Sequence, residues 1–224
     1  MLATRLGIVN CSAVMGDLVR QSLREELRSF GTATVFAAHP SVQVLPDRIK
    51  RISGVGFSGP VRTVVMIPGD NYDLHQAIAT ARAGDVIVGA VDGDMRGGYF
   101  GDIMALACRV KGIVGMILDA TVRDVDELRS LNFPVFATGI CLTDTTKRSD
   151  GEDRSAMDIE LDGLRKIRGG DWIVADGSAV VHIPQTVLDE VVQNARQRCH
   201  REESMREAVL QGVTTLEVIE RMSR

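Results

Sequence analysis

The chain has 224 residues, of which 45% are hydrophobic and only 4% aromatic, and it carries 26 basic and 30 acidic side chains. This length is sufficient for one self-sufficient core, which must be built from aliphatic side chains around many glycine turns. A formal net charge of -4 without a basic block lacks the electrostatic footprint of a nucleic-acid-binding protein. The composition therefore predicts a single α/β domain, residues 1–224, with no nucleic-acid partner.

Cysteine spacing and hydropathy indicate the cellular compartment. The cysteines are too far apart in sequence for a CxxC pair or a local zinc site. No apolar segment resembles a signal peptide, and no apolar run reaches the roughly 18 residues that a membrane helix needs. We therefore expect a cytoplasmic protein without a membrane partner. The cysteines are Cys11, Cys108, Cys141 and Cys199.

Hydrophobic periodicity predicts alternating helices and strands along the chain. An N-terminal helix should lie within the segment 1–30, with Gly31 as its C-cap. An α/β core should follow over 31–183. After Lys147 the composition changes to charge and glycine, which predicts a β-rich segment. From Pro184 onward the spacing predicts a helical tail, 184–224, with a second helix over 202–210. The predicted core strands are 61–67, 85–91, 113–118 and 135–140, and the core helices lie near 72–82, 103–110 and 125–131.

One glycine motif has the wrong context for nucleotide binding. The segment from Gly54 to Gly59 satisfies GxGxxG, but a proline and a β-branched run follow it. The dinucleotide motif requires a helix at this point, because the helix N-terminus binds the pyrophosphate. We therefore interpret the motif as a turn that enters a strand.

Two strand-to-helix junctions carry the residues that suggest chemistry. A glycine-rich loop leads to Asp102 at the start of one predicted helix, and Arg123 and Asp124 open the next. The free backbone N–H groups at such a helix start favour a carboxylate or phosphate. Helix capping is the alternative role for both acids, and Glu127 completes a capping-box spacing with Asp124.

Capping does not explain Arg123, because a cation at a helix N-terminus opposes the helix dipole unless an anion is bound. If the two strands are neighbours, both junctions meet at the same edge of the sheet. A lone carboxylate with open positions suits Mg²⁺ or Mn²⁺ better than Zn²⁺. The residues alone therefore predict metal-assisted chemistry on an oxyanion.

The spacing of Asp102 and Arg123-Asp124, set in GYFGD and VRDVDEL and followed by FPVF, resembles the metal-dependent pyruvate aldolases. These enzymes cleave 4-hydroxy-4-methyl-2-oxoglutarate and 4-carboxy-4-hydroxy-2-oxoadipate and share a fold with the regulator of ribonuclease activity A. The resemblance extends from about Gly31 through the segment GDWIVAD to the tail. It implies a layered ββα sandwich of the swivelling-domain type with a C-terminal helical tail.

The resemblance also implies roles for individual residues. Asp124 would hold Mg²⁺ or Mn²⁺ directly, and Asp102 would act through a water. Arg123 would face the keto oxygen of an oxo-acid substrate and stabilise the enolate. The backbone at Gly101, together with the amides of Ile103 and Met104, would hold the pyruvyl carboxylate.

Two further residues are implied at the substrate side of the site. Lys147 falls where such enzymes have a lysine, and Glu202 of a neighbouring subunit's tail would enter the site, with Glu203 as its alternative. The resemblance thus implies a homotrimer or hexamer in which residues 184–224 pack on a neighbouring subunit. The segment after Lys147 is more acidic than the family pattern, so the particular 4-hydroxy-2-oxo acid stays open.

Three functions follow as hypotheses. The first is a divalent-metal pyruvate aldolase that also decarboxylates oxaloacetate, because both reactions pass through a pyruvate enolate. The second is a non-catalytic, protein-binding regulator of a ribonuclease, although Asp124 is replaced in that branch of the family. The third, a Schiff-base aldolase, requires a buried lysine, and no lysine lies within an apolar run.

Overall fold

The computed structural model describes residues 11–164 and 166–222. The first helix, α1 (Cys11–Ala38), is broken at Gly31, where the backbone adopts a φ of 76° and a ψ of 162°. Helical structure resumes after this break. The predicted end at Gly31 therefore marks a kink, and α1 continues to Ala38.

Eight strands of the described part of the chain form one sheet in the order β1-β8-β7-β3-β4-β5-β6-β2. The central strands β3, β4, β5 and β6 are parallel, and the outer strands pair antiparallel with them or with one another. All eight residues of β5 are buried, as expected for a central parallel strand covered on both faces. The strands are β1 (Gln43–Val44), β2 (Lys50–Ser53), β3 (Phe57–Val65), β4 (Val86–Ala90), β5 (Gly115–Val122), β6 (Val135–Ile140), β7 (Trp172–Ala175) and β8 (Val180–Ile183).

Three helices cover one face of the parallel strands: α2 (Tyr72–Thr80), α3 (Asp102–Lys111) and α4 (Val125–Ser130). Their apolar stripes join the inward side chains of the sheet in one core cluster, which includes Leu74, Met104 and Leu128. The opposite face packs against the chain around Leu45 and the loop between Ile159 and Ile167, so the sheet has a core on each side.

The C-terminal region contains α5 (Leu188–Leu210) and α6 (Thr215–Met222). The predicted apolar stripe of α5 is confirmed, because Leu188, Val191, Val192 and Ala195 are buried. Leu188, Val191 and Val192 pack with Leu27 of α1 in a third core cluster. Packing of the rest of the tail on a neighbouring subunit stays a prediction.

The alternating core elements are confirmed, and three details differ. The prediction of a β-rich segment after residue 147 is wrong for 148–171, which has only the isolated bridge Ile159–Ile167 among its described residues. The predicted helix over 202–210 is the second half of α5. The GxGxxG segment enters a strand as interpreted, because β3 begins at Phe57, earlier than the predicted residue 61.

Candidate active site

The loops after β4 and β5 meet at the carboxyl edge of the parallel strands. Phe100 forms a parallel bridge with Val122, and the amide of Arg123 donates a hydrogen bond to the carbonyl of Phe100 at 2.9 Å. These backbone contacts hold the start of α3 beside the start of α4. The predicted convergence of the two junctions is therefore confirmed.

Asp124 occupies the N-cap position of α4, but its side chain caps nothing. The backbone is left-handed, with a φ of 55° and a ψ of 44°, and no side-chain hydrogen bond reaches the first turn of α4. Instead, Oδ2 lies 3.4 Å from the amide nitrogen of Asp102 and 3.4 Å from Arg123 Nε. The carboxylate thus faces the other junction, which the capping-box interpretation does not explain.

The start of α3 presents amide groups to the same space. Gly101 is the N-cap, and the first helical hydrogen bond is made by the amide of Ala105 to the carbonyl of Gly101. The amide of Ile103 donates to Asp102 Oδ1 at 2.7 Å, so a carboxylate already occupies one of the donors predicted for the substrate. Met104 is buried, whereas the Ile103 side chain is exposed.

Arg123 and Lys147 are joined by a residue that the sequence did not reveal. Asp144 Oδ1 accepts from Arg123 Nη1 at 2.9 Å and lies 3.5 Å from Lys147 Nζ. Hydrogen bonding by the amide of Thr145, together with the charges of Lys147 and Arg123, holds the pKa of Asp144 below its usual value. Asp144 therefore stays anionic near neutral pH and orients both cations. No local sequence pattern indicates the role of Asp144, because the arginine that it orients, Arg123, is 21 residues away in sequence.

A buried tyrosine supports the glycine-rich loop. Tyr99 donates to Asp94 Oδ2 at 2.6 Å and accepts from the amide of Gly69 at 2.7 Å. Hydrogen bonds from Tyr99 and Arg96 lower the pKa of Asp94 to about 2, and burial next to that carboxylate raises the pKa of Tyr99 to about 12. This network connects the loop after β3 to the loop after β4. In the sequence, this network is indicated only by the occurrence of Asp94, Arg96 and Tyr99 in the same glycine-rich loop.

The loop that carries Lys147 is anchored near α2. Asp70 accepts from the amide of Arg148 at 2.8 Å and from the hydroxyl of Thr146. His75 of α2 lies close enough that burial and the charge of Lys147 lower its pKa, and its buried Nε2 has no partner in the part of the chain that the structure describes. The lowered pKa favours the neutral form of this imidazole at neutral pH.

Glu202 and Glu203 lie on α5, away from these junctions. Glu202 is ion-paired with Arg198 and Arg206, and Glu203 pairs with Arg206. Their predicted role belongs to a neighbouring subunit's site, and it stays a prediction.

The residues present fit a divalent cation with few protein ligands. The Asp124 side chain is 30% exposed and free of a capping role, and carboxylate oxygens suit Mg²⁺ and Mn²⁺. Across residues 11–164 and 166–222, no group of three or more His, Cys, Asp or Glu side chains has the arrangement of a metal site. An ion here would keep most of its water, as Mg²⁺ usually does.

Parallel strands whose carboxyl edge carries an arginine beside two aspartates define an α/β protein with a charged site at that edge. Residues 31–182 match the family model described as "RraA-like: Aldolase/RraA", and the chain belongs to this family. A relative from Halalkalibacterium halodurans, named "Putative 4-hydroxy-4-methyl-2-oxoglutarate aldolase", is 32% identical over 70% of this chain and 74% of its own length. The resemblance stated from the sequence is thereby confirmed.

Solved structures share the fold. An uncharacterized protein from Pseudomonas syringae pv. tomato matches with a TM-score of 0.76 and 29% identity, over 88% of this chain and 96% of its own. The RNA-processing inhibitor RraA from Thermus matches with a TM-score of 0.63 and 24% identity, over 69% and 92%. These matches confirm the predicted fold class. No helix among the described residues has the length and apolar character that crossing a membrane requires.

Proposed function

We propose that this protein is a divalent-metal-dependent aldolase that cleaves a 4-hydroxy-2-oxo dicarboxylic or tricarboxylic acid to pyruvate and a second oxo acid. The observation that carries the proposal is the Asp124 carboxylate, which turns away from its own helix toward the amides of α3 and lies beside Arg123. The names of the aldolase relatives support the same reaction class.

The chain supplies binding and electrostatic stabilisation. As the bond between carbons 3 and 4 breaks, the 4-hydroxyl loses its proton to water and becomes the carbonyl of the second oxo acid. The bonding electron pair stays on the pyruvyl fragment, and negative charge develops on the 2-oxo oxygen. The guanidinium of Arg123 would stabilise that oxygen, because its N–H groups are already oriented by Asp144 and Asp124. Mg²⁺ or Mn²⁺, when bound at Asp124, would supply a Lewis acid for the same oxygen.

Substrate binding would rearrange the start of α3. The substrate carboxylate would replace Asp102 Oδ1 at the amide of Ile103, with the amide of Met104 as the next donor. Asp102 would then be free to orient a water at the cation. Lys147, and Glu202 from a neighbouring subunit, would contact the far end of the substrate. Protonation of the enolate at carbon 3 completes pyruvate, and oxaloacetate decarboxylation would use the same enolate.

The test is pyruvate release from oxaloacetate and from branched 4-hydroxy-2-oxo acids by the purified protein. We expect EDTA to abolish turnover and Mg²⁺ or Mn²⁺ to restore it. Asp124→Asn should lower activity more than about a hundredfold while the protein stays folded, since asparagine tolerates left-handed backbone and no cap bond is lost. Full activity after chelation, or trapping of substrate on a lysine by borohydride, would contradict the proposal.

A second candidate is a protein-binding regulator of a ribonuclease, which the likeness to the Thermus inhibitor favours. It predicts tight binding to a ribonuclease, unaffected by Asp124→Asn, and no pyruvate release. The two candidates therefore differ in their dependence on one carboxylate.

A further inference from the structure

A groove lies at the amino ends of the parallel strands, at the opposite edge of the sheet from the candidate active site. It consists of two adjoining cavities of about 460 and 650 Å³, which share Arg20, Pro60 and Arg82 among their lining residues. We call it the arginine groove and define it by Arg20, Arg24, Arg62 and Arg82.

The arginines of the groove form no ion pairs with the described carboxylates. Two of its arginines come from α1, one from β3 and one from the turn after α2, and no described carboxylate forms an ion pair with any of them. Asp17, Asp85 and Asp189 also line the groove, but beyond ion-pairing distance of these guanidiniums. Because none of these guanidiniums is ion-paired among the described residues and the arginines outnumber the lining aspartates, the groove favours an anion.

Arg62 is the most constrained of the four. Its Nη2 donates to the hydroxyls of Thr80 and Ser155 at 2.6 and 3.3 Å, and the nearby carboxylate of Asp153 interacts with its charge without forming an ion pair among the described residues. Its Nε is buried and has no acceptor among the described residues. A buried guanidinium N–H without an acceptor is costly, and a bound oxyanion is the group that best compensates a guanidinium.

The turn after α2 is shaped to admit Arg24. Gly84 has a φ of +89°, and a Cβ atom at this position would lie 2.8 Å from Arg24 Nη1. The backbone conformation therefore favours glycine, and a larger residue would also displace the guanidinium of Arg24. The shape of the groove thus depends on its arginine side chains and on the backbone conformation at Gly84.

We propose that the arginine groove binds a small molecule with two anionic oxygen groups, of the phosphate-ester or polycarboxylate class. Two groups are inferred because Arg24 lines one cavity, Arg62 lines the other, and Arg20 and Arg82 lie in both. Pro60 and the half of the groove next to Trp172 provide an apolar wall for the body of the ligand.

The experiment is isothermal titration of the full, metal-free chain with inorganic pyrophosphate and, separately, with citrate. We expect at least one of these probes to bind saturably, with one molecule bound per chain. Arg62→Gln and Arg82→Gln should each weaken it at least tenfold. Arg28→Gln is the matched control, because Arg28 is an exposed arginine of α1 outside the groove, and it should leave the affinity unchanged. Arg123→Lys should also leave it unchanged, which separates this site from the candidate active site.

Three outcomes would overturn the proposal. The first is no saturable binding of either probe, and the second is an equal loss of affinity in the Arg28→Gln protein, which would indicate diffuse charge attraction. The third is loss of binding in Arg123→Lys, which would assign the probe to the active site and would also reject the groove. Arg82 is exposed, so its variant keeps the test valid if Arg62→Gln does not fold. Preference for pyrophosphate over citrate decides between the two ligand classes.

Discussion

The left-handed backbone of Asp124 determines which groups its side chain contacts. Aspartate and asparagine adopt left-handed backbone more readily than most residues, because their short polar side chains make local contacts. At Asp124 this conformation directs the carboxylate to Asp102 N and Arg123 Nε, away from α4. The helix therefore gains no cap from a residue that has the ideal type and position for one.

Arg123→Lys is expected to lower kcat by more than about a hundredfold, because an ammonium group cannot reproduce the planar fork that spans Asp124 and Asp144. Steady-state kinetics of oxaloacetate decarboxylation measures the effect. Arg129→Lys is the matched control, since Arg129 is an exposed arginine of α4 paired with Asp126. A rise in KM with unchanged kcat would mean that Arg123 only holds substrate, and wild-type constants would remove it from the site.

The close approach of the start of α3 to the start of α4 depends on a glycine, Gly101, which has no side chain. A Cβ atom at Gly101 would overlap Asp124 Oδ2. The obstacle is the end of a side chain and not backbone, so an alanine here displaces the carboxylate without unfolding the junction. The glycine is thus a requirement of the site and not of the fold.

We therefore expect Gly101→Ala to lose at least about tenfold in kcat/KM, with a thermal midpoint close to that of the wild type. Gly16→Ala is the control, because nothing lies within 4 Å of a Cβ at that helical position. Activity assays and thermal denaturation of both variants provide the comparison. An active Gly101→Ala enzyme would show that Asp124 does not need its observed position.

Asp171, directly before β7, connects β8, the chain after β8 and the turn at Arg168 through one carboxylate. It accepts hydrogen bonds from His182 Nε2 at 2.8 Å and from the amides of Gln185 and Arg168 at 2.9 and 2.8 Å. Burial acts to raise the pKa of Asp171, but these hydrogen bonds outweigh it and the pKa lies below the usual value. Its contribution to stability is therefore present above the unfolded pKa of about 3.9 and is lost as the pH falls through the lower folded pKa.

Asp171→Asn should lower the free energy of unfolding by about 2–3 kcal/mol at pH 7, because all three donors lose a charged acceptor. Urea denaturation should show this difference shrinking below about pH 4. Asp47→Asn is the control, since Asp47 is almost fully exposed and pairs only with Lys50. If the difference in unfolding free energy between Asp171→Asn and the wild type stayed constant from pH 7 to pH 3, Asp171 would not be the ionised group inferred here.

At the scale of the whole molecule, exposed apolar side chains lie on the first and last helices. Met15, Leu18 and Val19 of α1 are exposed, as are Leu216 and Ile219 of α6. Such surfaces on helices commonly become buried between subunits. This agrees with the assembly that the family resemblance implies.

We expect sedimentation velocity to show a trimer or a multiple of three chains. Deletion of residues 200–224 should reduce activity at least about tenfold, because Glu202 of a neighbouring copy would be lost from the site. The deleted chain should keep its core, since the buried stripe of α5 ends at Ala195. A stable, fully active monomer, or full activity after the deletion, would contradict shared sites.

The sequence predicted the parts of the molecule whose cause is local. The core strands and the helices α2, α3 and α4 were predictable because burial imposes a periodicity on each. The edge strand β2 was not, because its side chains are mostly exposed. Asp144 and Tyr99 were missed for a different reason, since their roles arise only when loops from separate strands meet. The resemblance named the remaining site residues, but it could not reveal that Asp102 occupies the amide of Ile103.

The chain from Cys141 to Arg154 has neither a helix nor a strand, and it reaches from Asp144 past Lys147 to the ion pairs of Arg154 with Asp150 and Glu152. It borders the reacting groups and meets the sheet at its two ends, where the amide of Cys141 donates to the carbonyl of Val122 and the carbonyl of Arg154 accepts from the amide of Val65. None of its described residues belongs to the hydrophobic core. Its composition can therefore diverge without cost to the hydrophobic core. In evolution or in directed libraries, this stretch is where a new substrate range could be acquired while the bond-cleaving residues at the ends of β4 and β5 stay fixed.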